Sequence, residues 1–257
     1  MSPRALRIRL AALLLPLVVG LPLLSAAPAQ AKKELTVQEQ YELGLRYLKR
    51  GYYVKAMETF NRIRNYHRDD PMAVKAELAI ADLHFEKSEW DQARLAYEDF
   101  VRMHPRHPDV DYVIYRVGET LYRKSPRAAG RDQTWARQAV NTWSGFEVRF
   151  PESDHKDAVL EKLEECRDRL ALKELQVARF YERRDAWVAV EGRAEGLVRT
   201  HPESQHVPEA LALLAEAHAW QGEAEAASKA LARLEGADPA LAKRAADRVA
   251  RAKPDTP

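Results

Sequence analysis

A short pattern that returns along the chain constrains its fold more than any other feature. Residues 43–60 carry Leu43, Gly44, Tyr47, Gly51, Ala56 and Phe60. Leu43 and Tyr47 lie one turn apart on one helical face, Ala56 and Phe60 do the same on a second helix, and Gly51 sits at the bend between them. Small side chains at Gly44 and Ala56 let the two helices approach closely. Such a hairpin leaves an apolar face uncovered, so it is stable only with copies stacked beside it.

The copies follow. A second puts Ile80-Ala81 at the Leu-Gly pair, with Ala93, Tyr97, Phe100 and a closing Pro105. A third reads Ala139, Trp143, Phe146 and Pro151 in its second helix, and its first helix is expected to be damaged. A fourth has Val177, Ala178, Tyr181, Val190, Ala194, Leu197 and Pro202; a fifth has Leu214, Ala215, His218, Gly222, Ala227, Leu231 and Leu234. The pattern resembles the tetratricopeptide repeat, whose period is ~34 residues. Pro71 to Pro105 is a step of 34 and Pro105 to Pro151 one of 46, which places an insertion of a dozen residues in the third repeat.

The expected fold is therefore all-α, a solenoid of five helical hairpins over residues 41–236 followed by a C-terminal capping helix and tail over 237–257. Thr36 with Glu39 is a capping-box pattern that starts the first helix after a polar lead-in over 32–40. Asp238-Pro239 can start the last one, running to about Ala252, with residues 254–257 frayed. Ser125-Pro126 and Gly130 break the helical spacing near 123–132, giving an inserted loop that is either a contact site or merely tolerated.

Residues 1–31 read as a secretory signal peptide. Arg4, Arg7 and Arg9 precede an apolar run over residues 10–24, and Ala29-Gln30-Ala31 offers a small-x-small cleavage site. The competing reading, a membrane anchor, is opposed by Pro16, Gly20 and Pro22 within the run. Cleavage would remove three of 41 basic residues and none of 39 acidic ones, leaving a net charge of −1. That balance supplies no electrostatic reason to bind nucleic acid. The single cysteine, Cys166, cannot staple the fold internally, so stability has to come from stacking.

No residue set points to catalysis, a metal or a cofactor. His104 and His107 stand three apart near Asp109, but Pro105 and Pro108 prevent the turn that would aim both rings at one ion. Cys166 follows His155 by eleven residues, about three helical turns, too far for a local base. Glu161, Glu164 and Glu165 read as a solvated face, and there is no glycine-rich phosphate loop or nucleophile elbow. Tyr47, Phe60, Tyr97, Phe100, Trp143, Phe146 and Tyr181 occupy core positions. Tyr52, Tyr53, Trp90 and Trp187 sit near bends, where packing on the neighbouring repeat is the first expectation and exposure to a partner the second.

Two clusters exceed what a repeat needs: residues 105–118, read with the preceding residue as His104-Pro105-Arg106-His107-Pro108-Asp109-Val110-Asp111-Tyr112, Tyr115 and Gly118, and residues 180–197, with Phe180-Tyr181-Glu182-Arg183, Ala186-Trp187-Val188-Ala189-Val190, Arg193 and Glu195-Gly196-Leu197. Together with Arg131-Asp132, Phe150-Pro151-Glu152-Ser153 and Asp168-Arg169-Leu170-Ala171 with Glu174, in that order, they resemble the BamD (ComL) family. That family is the tetratricopeptide component of the outer-membrane β-barrel assembly machine, and the resemblance spans about 41–234. It implies a non-catalytic periplasmic scaffold that docks on the POTRA region of the BamA-like barrel subunit through Arg193, Trp187, Asp132 and Tyr181, with Arg193 matching an arginine that pairs with an acidic residue there. It also implies a groove for the C-terminal targeting strands of nascent outer-membrane proteins, assigned by position to Tyr47, Tyr52, Tyr53, His84 and Phe85, and contact with other assembly-machine lipoproteins. The implied place is the periplasmic face of the outer membrane of a Gram-negative bacterium. Family members usually carry a lipid-bearing cysteine after the signal, whereas Lys32 stands there, so retention through partners rather than a lipid anchor is expected. The alternative is a soluble periplasmic adaptor of cell-envelope or cell-division complexes. Relatives of that kind usually begin with a coiled coil, for which residues 32–41 are too short.

Overall fold

The computed structural model describes residues 34–252; Ala29 and Ala31, the expected cleavage positions, and the tail from 253 lie outside them. Residues 36–252 fall in one compact unit. Among the described residues there are twelve helices and no strand: α1 (Val37–Lys49), α2 (Tyr53–Tyr66), α3 (Pro71–Glu86), α4 (Trp90–Met103), α5 (Val110–Lys124), α6 (Thr134–Trp143), α7 (Phe146–Arg149), α8 (Lys156–Glu182), α9 (Trp187–Thr200), α10 (Val207–Trp220), α11 (Ala224–Ala237) and α12 (Pro239–Val249). Five antiparallel pairs, α1/α2, α3/α4, α5/α6, α8/α9 and α10/α11, stack in chain order, and α12 packs on both α10 and α11.

The helix starts follow from local chemistry. Thr36 Oγ1 accepts from the Glu39 backbone N–H at 3.1 Å while Glu39 Oε2 accepts from the Thr36 N–H at 2.7 Å, so two otherwise orphaned donors are satisfied reciprocally. Asp70 and Asp238 each cap a helix whose first residue is proline, accepting from the Met72 N–H at 2.8 Å and the Leu241 N–H at 2.9 Å.

The hairpins close on glycine. A Cβ built at Gly44 would lie 2.5 Å from the Phe60 ring, and one at Gly118 would lie 2.2 Å from the Trp143 indole. Both rings are fully buried. Gly118 thus belongs to an intact 15-residue α5, which corrects the expectation that the first helix of the third repeat is damaged. The step between equivalent positions is also corrected: Gly44, Ala81 and Gly118 follow one another at 37 residues, not 34. Pro71 opens α3 whereas Pro105 lies in the turn after α4, so the two prolines are not equivalent. Phe60 and Tyr97 come 16 residues after Gly44 and Ala81, but Trp143 comes 25 after Gly118. The nine additional residues match segment 125–133 between α5 and α6.

That segment is held from within. Gln133, fully buried, donates from Nε2 to the carbonyls of Pro126 (3.2 Å) and Ala128 (2.9 Å) and accepts from Ser125 Oγ at 3.2 Å. Arg169 on α8 donates to Ser125 Oγ at 3.2 Å. Irregular backbone near a core needs partners of this kind for its carbonyls.

At 27 residues α8 is nearly twice the length of its neighbours and joins two cores. Val159, Leu163, Cys166 and Leu170 pack with α5 and α6, while Ala171, Leu175 and Ala178 pack with α9 and α10. A charged register runs alongside. The residue after the small one on the first helix of each repeat is Leu45, then Asp82, Glu119, Arg179 and Glu216. Asp82 accepts from the hydroxyls of Tyr97 (2.6 Å) and Tyr112 (2.7 Å), and Glu119 accepts from Arg116 (3.1 Å) and Arg123 (3.2 Å). Arg179 pairs with Glu209 of α10 (2.7 Å), and Glu216 forms an ion pair with Arg248 of α12 at 2.5 Å without hydrogen-bond alignment. Charges taken into a helical stack need such partners.

Candidate functional surface

The residues expected to meet a barrel subunit separate into two groups. Arg193, exposed on α9, donates from Nη1 to Glu174 Oε2 of α8 at 3.0 Å. Asp132, exposed at the end of the inserted segment, accepts from the Thr134 hydroxyl (2.8 Å) and N–H (3.1 Å), which start α6; the hydroxyl and then the amide hold its carboxyl below the usual range, with smaller help from Lys173 and Arg137. Arg193 and Arg137 line the same open groove of about 440 Å³, together with Val140, Leu170, Glu174, Gly192, Gly196, Thr200 and His201. Asp132 is not among the residues that line it. Trp187 and Tyr181 do not line that groove. Trp187 stacks on Trp220, ring centroids 5.4 Å apart at 8°, and both Trp187 and Tyr181 pack against the C-terminal core.

The five residues placed in a client groove also divide. Tyr47, Tyr52 and Tyr53 lie at the first hairpin bend; the Tyr47 and Tyr52 rings are 6.4 Å apart, and Lys55 Nζ stands 5.8 Å from each. Tyr52 and its neighbour Val54 are exposed at 53% and 72%. Phe85 is buried in the middle core, edge-on to Trp90 at 5.1 Å, with the Arg116 guanidinium 4.2 Å from its ring centre. That position is a correction: Phe85 is a packing residue in this structure. His84 turns its Nδ1 to Glu89 Oε2 at 2.7 Å across the α3–α4 bend, as His218 does to Glu223 at 2.6 Å across the α10–α11 bend. The same pairing thus recurs at two bends.

The discounted chemical candidates have structural partners. His104 Nε2 lies 2.8 Å from Glu77 Oε2, and His104 and His107 both pack on Phe100. Burial pushes the Cys166 thiol up to about 11, which keeps it protonated and unreactive near neutral pH. His218, Glu223 and Glu191 approach one another closely enough to share an ion, yet His218 and Glu223 repeat the His84–Glu89 pairing, and the Gln221 amide donates to Glu191 at 2.7 Å. Burial raises Asp82 despite its two tyrosine donors, and raises Tyr97 and Tyr112 as well. Tyr97 and Tyr112 both donate to Asp82.

The sequence reading missed the groove between α6, α8 and α9. Its signal was present in Gly192 and Gly196, four residues apart inside an otherwise regular helix. Gly44 and Gly118 are filled by rings of their own repeat, whereas a Cβ at Gly192 or Gly196 would meet nothing within 4 Å.

The comparisons with known proteins bear on the same span. The family model of YfiO, described as outer membrane lipoprotein, matches residues 33–234. The chain belongs to that family. Family membership extends over all five hairpins, and the resemblance to BamD read from the sequence holds. The outer membrane protein assembly factor BamD of Neisseria meningitidis serogroup A is 26% identical over 209 residues, 78% of each chain. Its counterpart in Xylella fastidiosa strain 9a5c is 27% identical over 223 residues, covering 82% of this chain and 76% of that one. A tetratricopeptide protein of Thermus thermophilus superposes with a TM-score of 0.36 at 18% identity over 84% of this chain. Superposition at that level adds nothing to the fold, which rests on the helices themselves. Among the described residues no helix is long and apolar enough to cross a membrane.

Proposed function

We propose that this chain is an outer-membrane protein assembly factor, a non-catalytic scaffold that holds other polypeptides at the periplasmic face of a Gram-negative outer membrane. The observation that carries the reading is the family match over residues 33–234, which takes in the whole repeat stack, together with relatives named as assembly factors. A stacked set of hairpins offers extended surfaces suited to peptides and domains.

Arg193 and Asp132 form the docking face for the POTRA region of the barrel subunit; Trp187 on α9 and Tyr181 on α8 support it by packing against the C-terminal core. Targeting strands of nascent outer-membrane proteins bind at the first bend, where Tyr47, Tyr52 and Tyr53 supply aromatic surface and Lys55 a cation. The protein is retained at the membrane by these partners.

The test is a pull-down from envelope extract with the full-length protein and its Arg193→Glu variant. Wild type is expected to recover the barrel subunit, and the charge reversal to deplete it at least fivefold while leaving client precursors bound. Recovery of neither would favour the envelope-adaptor reading.

A further inference from the structure

We infer that Glu191, His218 and Glu223 hold a divalent metal ion, Zn²⁺ being the cation their donor set fits, where the fourth hairpin meets the fifth. Glu191 lies on α9, His218 in the last turn of α10 and Glu223 at the bend before α11. One donor atom from each, an imidazole nitrogen and two carboxylate oxygens, lies within 4.8 Å of the other two. The spacing from 191 to 223 matches no ligand motif, so the packing of three elements assembles the set.

The other bend with a His–Glu pair shows what is added here. Ala81 follows Gly44 by 37 residues and Ala215 follows Ala178 by 37, so His84 and Glu89 correspond to His218 and Glu223, Lys87 to Gln221 and Met57 to Glu191. At the earlier bend Lys87 also pairs with Glu89, and Met57 packs against the N-terminal core. One carboxylate there faces an ammonium and an imidazole. At the later bend a neutral amide replaces the ammonium, and a second carboxylate replaces the methionine. Among the described residues neither Glu191 nor Glu223 pairs with a lysine or arginine. Protonation of His218 supplies at most one positive charge against two negative ones. A divalent cation supplies both.

Gln221 does not close the site. Its amide donates to one Glu191 oxygen at 2.7 Å and to the Ala217 carbonyl at 3.2 Å, which orients the carboxylate and leaves its second oxygen for a ligand bond. An imidazole nitrogen in the set favours Zn²⁺ over Mg²⁺ and Ca²⁺, which prefer oxygen alone. Tetrahedral bonds of about 2.0–2.1 Å place ligand atoms ~3.3 Å apart, so the 2.6 Å contact of His218 with Glu223 opens by about 0.7 Å as the ion enters. Glu223, its side chain 51% exposed, makes that movement, while His218 at 13% stays fixed. Water completes the four positions. The ion ties α9 to α10 and α11, so its binding stabilises the last two hairpins together.

The experiment titrates Zn²⁺ into the untagged full mature chain after chelator treatment, by calorimetry and by thermal melting. One equivalent is expected to bind, and zinc a hundredfold above its Kd to raise the melting temperature by about 5 °C or more. Mg²⁺ at the same concentration is expected to leave it unchanged. Glu191→Met and Gln221→Lys rebuild the earlier bend one residue at a time. Each is expected to weaken zinc binding at least tenfold, with a metal-free melting temperature equal to or above that of wild type. His218→Gln is expected to weaken it at least as much. Absence of both binding heat and a melting shift in wild type would overturn the inference. So would a Glu191→Met or His218→Gln chain that binds zinc within twofold of wild type, which places the ion elsewhere, or an equal shift with Mg²⁺. The readout is the metal alone, so none of these results bears on the docking reading.

Discussion

At Gly118 the Trp143 indole occupies the space a side chain would need, and Trp143 is itself fixed by donating from Nε1 to the Tyr115 carbonyl at 3.3 Å. The ring has no room to retreat, so Gly118→Ala overpacks the middle core. Its expected cost is about 1–3 kcal/mol, read as a lower urea midpoint at unchanged slope. Gly51→Ala meets no atom but must adopt φ 74° at the first bend, and should cost less, about 1 kcal/mol. The sequence marked Gly118 only as part of a family cluster, because the ring that needs it lies beyond an insertion. Arg193 was legible as an exposed cation, but its bond to Glu174 was not: the two are 19 residues apart, on different helices.

Among the elements, the inserted segment depends on one side chain. Gln133→Ala would remove one partner from each of two carbonyls and from the Ser125 hydroxyl, leaving Pro126 and Ser125 to Arg169 and Ala128 to the Arg131 N–H, at a cost of roughly 1–3 kcal/mol. Limited trypsin digestion is expected to cut the variant faster at Arg127 and Arg131, while the remaining hairpins stay resistant. The terminal helix has a different dependence. Burial of Glu216 beneath α12 lifts its carboxyl from 4.5 to about 7; Arg248 opposes the rise and Glu182 adds to it. A carboxyl raised in the folded state contributes stability that is complete below its unfolded value and lost as pH climbs through the folded one. Wild type should therefore lose stability between pH 4.5 and about 7 through this group, and Glu216→Gln should flatten that part of the profile. A melting-temperature series from pH 4.5 to 8 on both proteins decides it; parallel profiles would refute the assignment.

For the whole molecule, α8 is the part that makes one body of two cores. Leu170 belongs with α5 and α6, and Ala171, the next residue, with α9 and α10. Repeat stacks hold together by nearest-neighbour contacts, so a break in the shared helix should uncouple what lies on either side. Ala171→Pro is expected to turn a single calorimetric transition into two, whereas a proline near the exposed end of α12 should leave one. Helix content, the hairpin repeat, the capping box at Thr36 and the Asp238-Pro239 helix start were all present in residue spacing, because each depends on neighbours a few positions away. Family membership was legible for a related reason: its motifs are contiguous blocks. The place of Gly118 in the third repeat, the burial of Phe85, the stacking of Trp187 on Trp220 and the open groove beside Gly192 and Gly196 were decided only by the packed structure. Each depends on which helix lies next to which, and chain spacing does not encode that contact once nine residues are inserted in one repeat and α8 runs through the junction of two others.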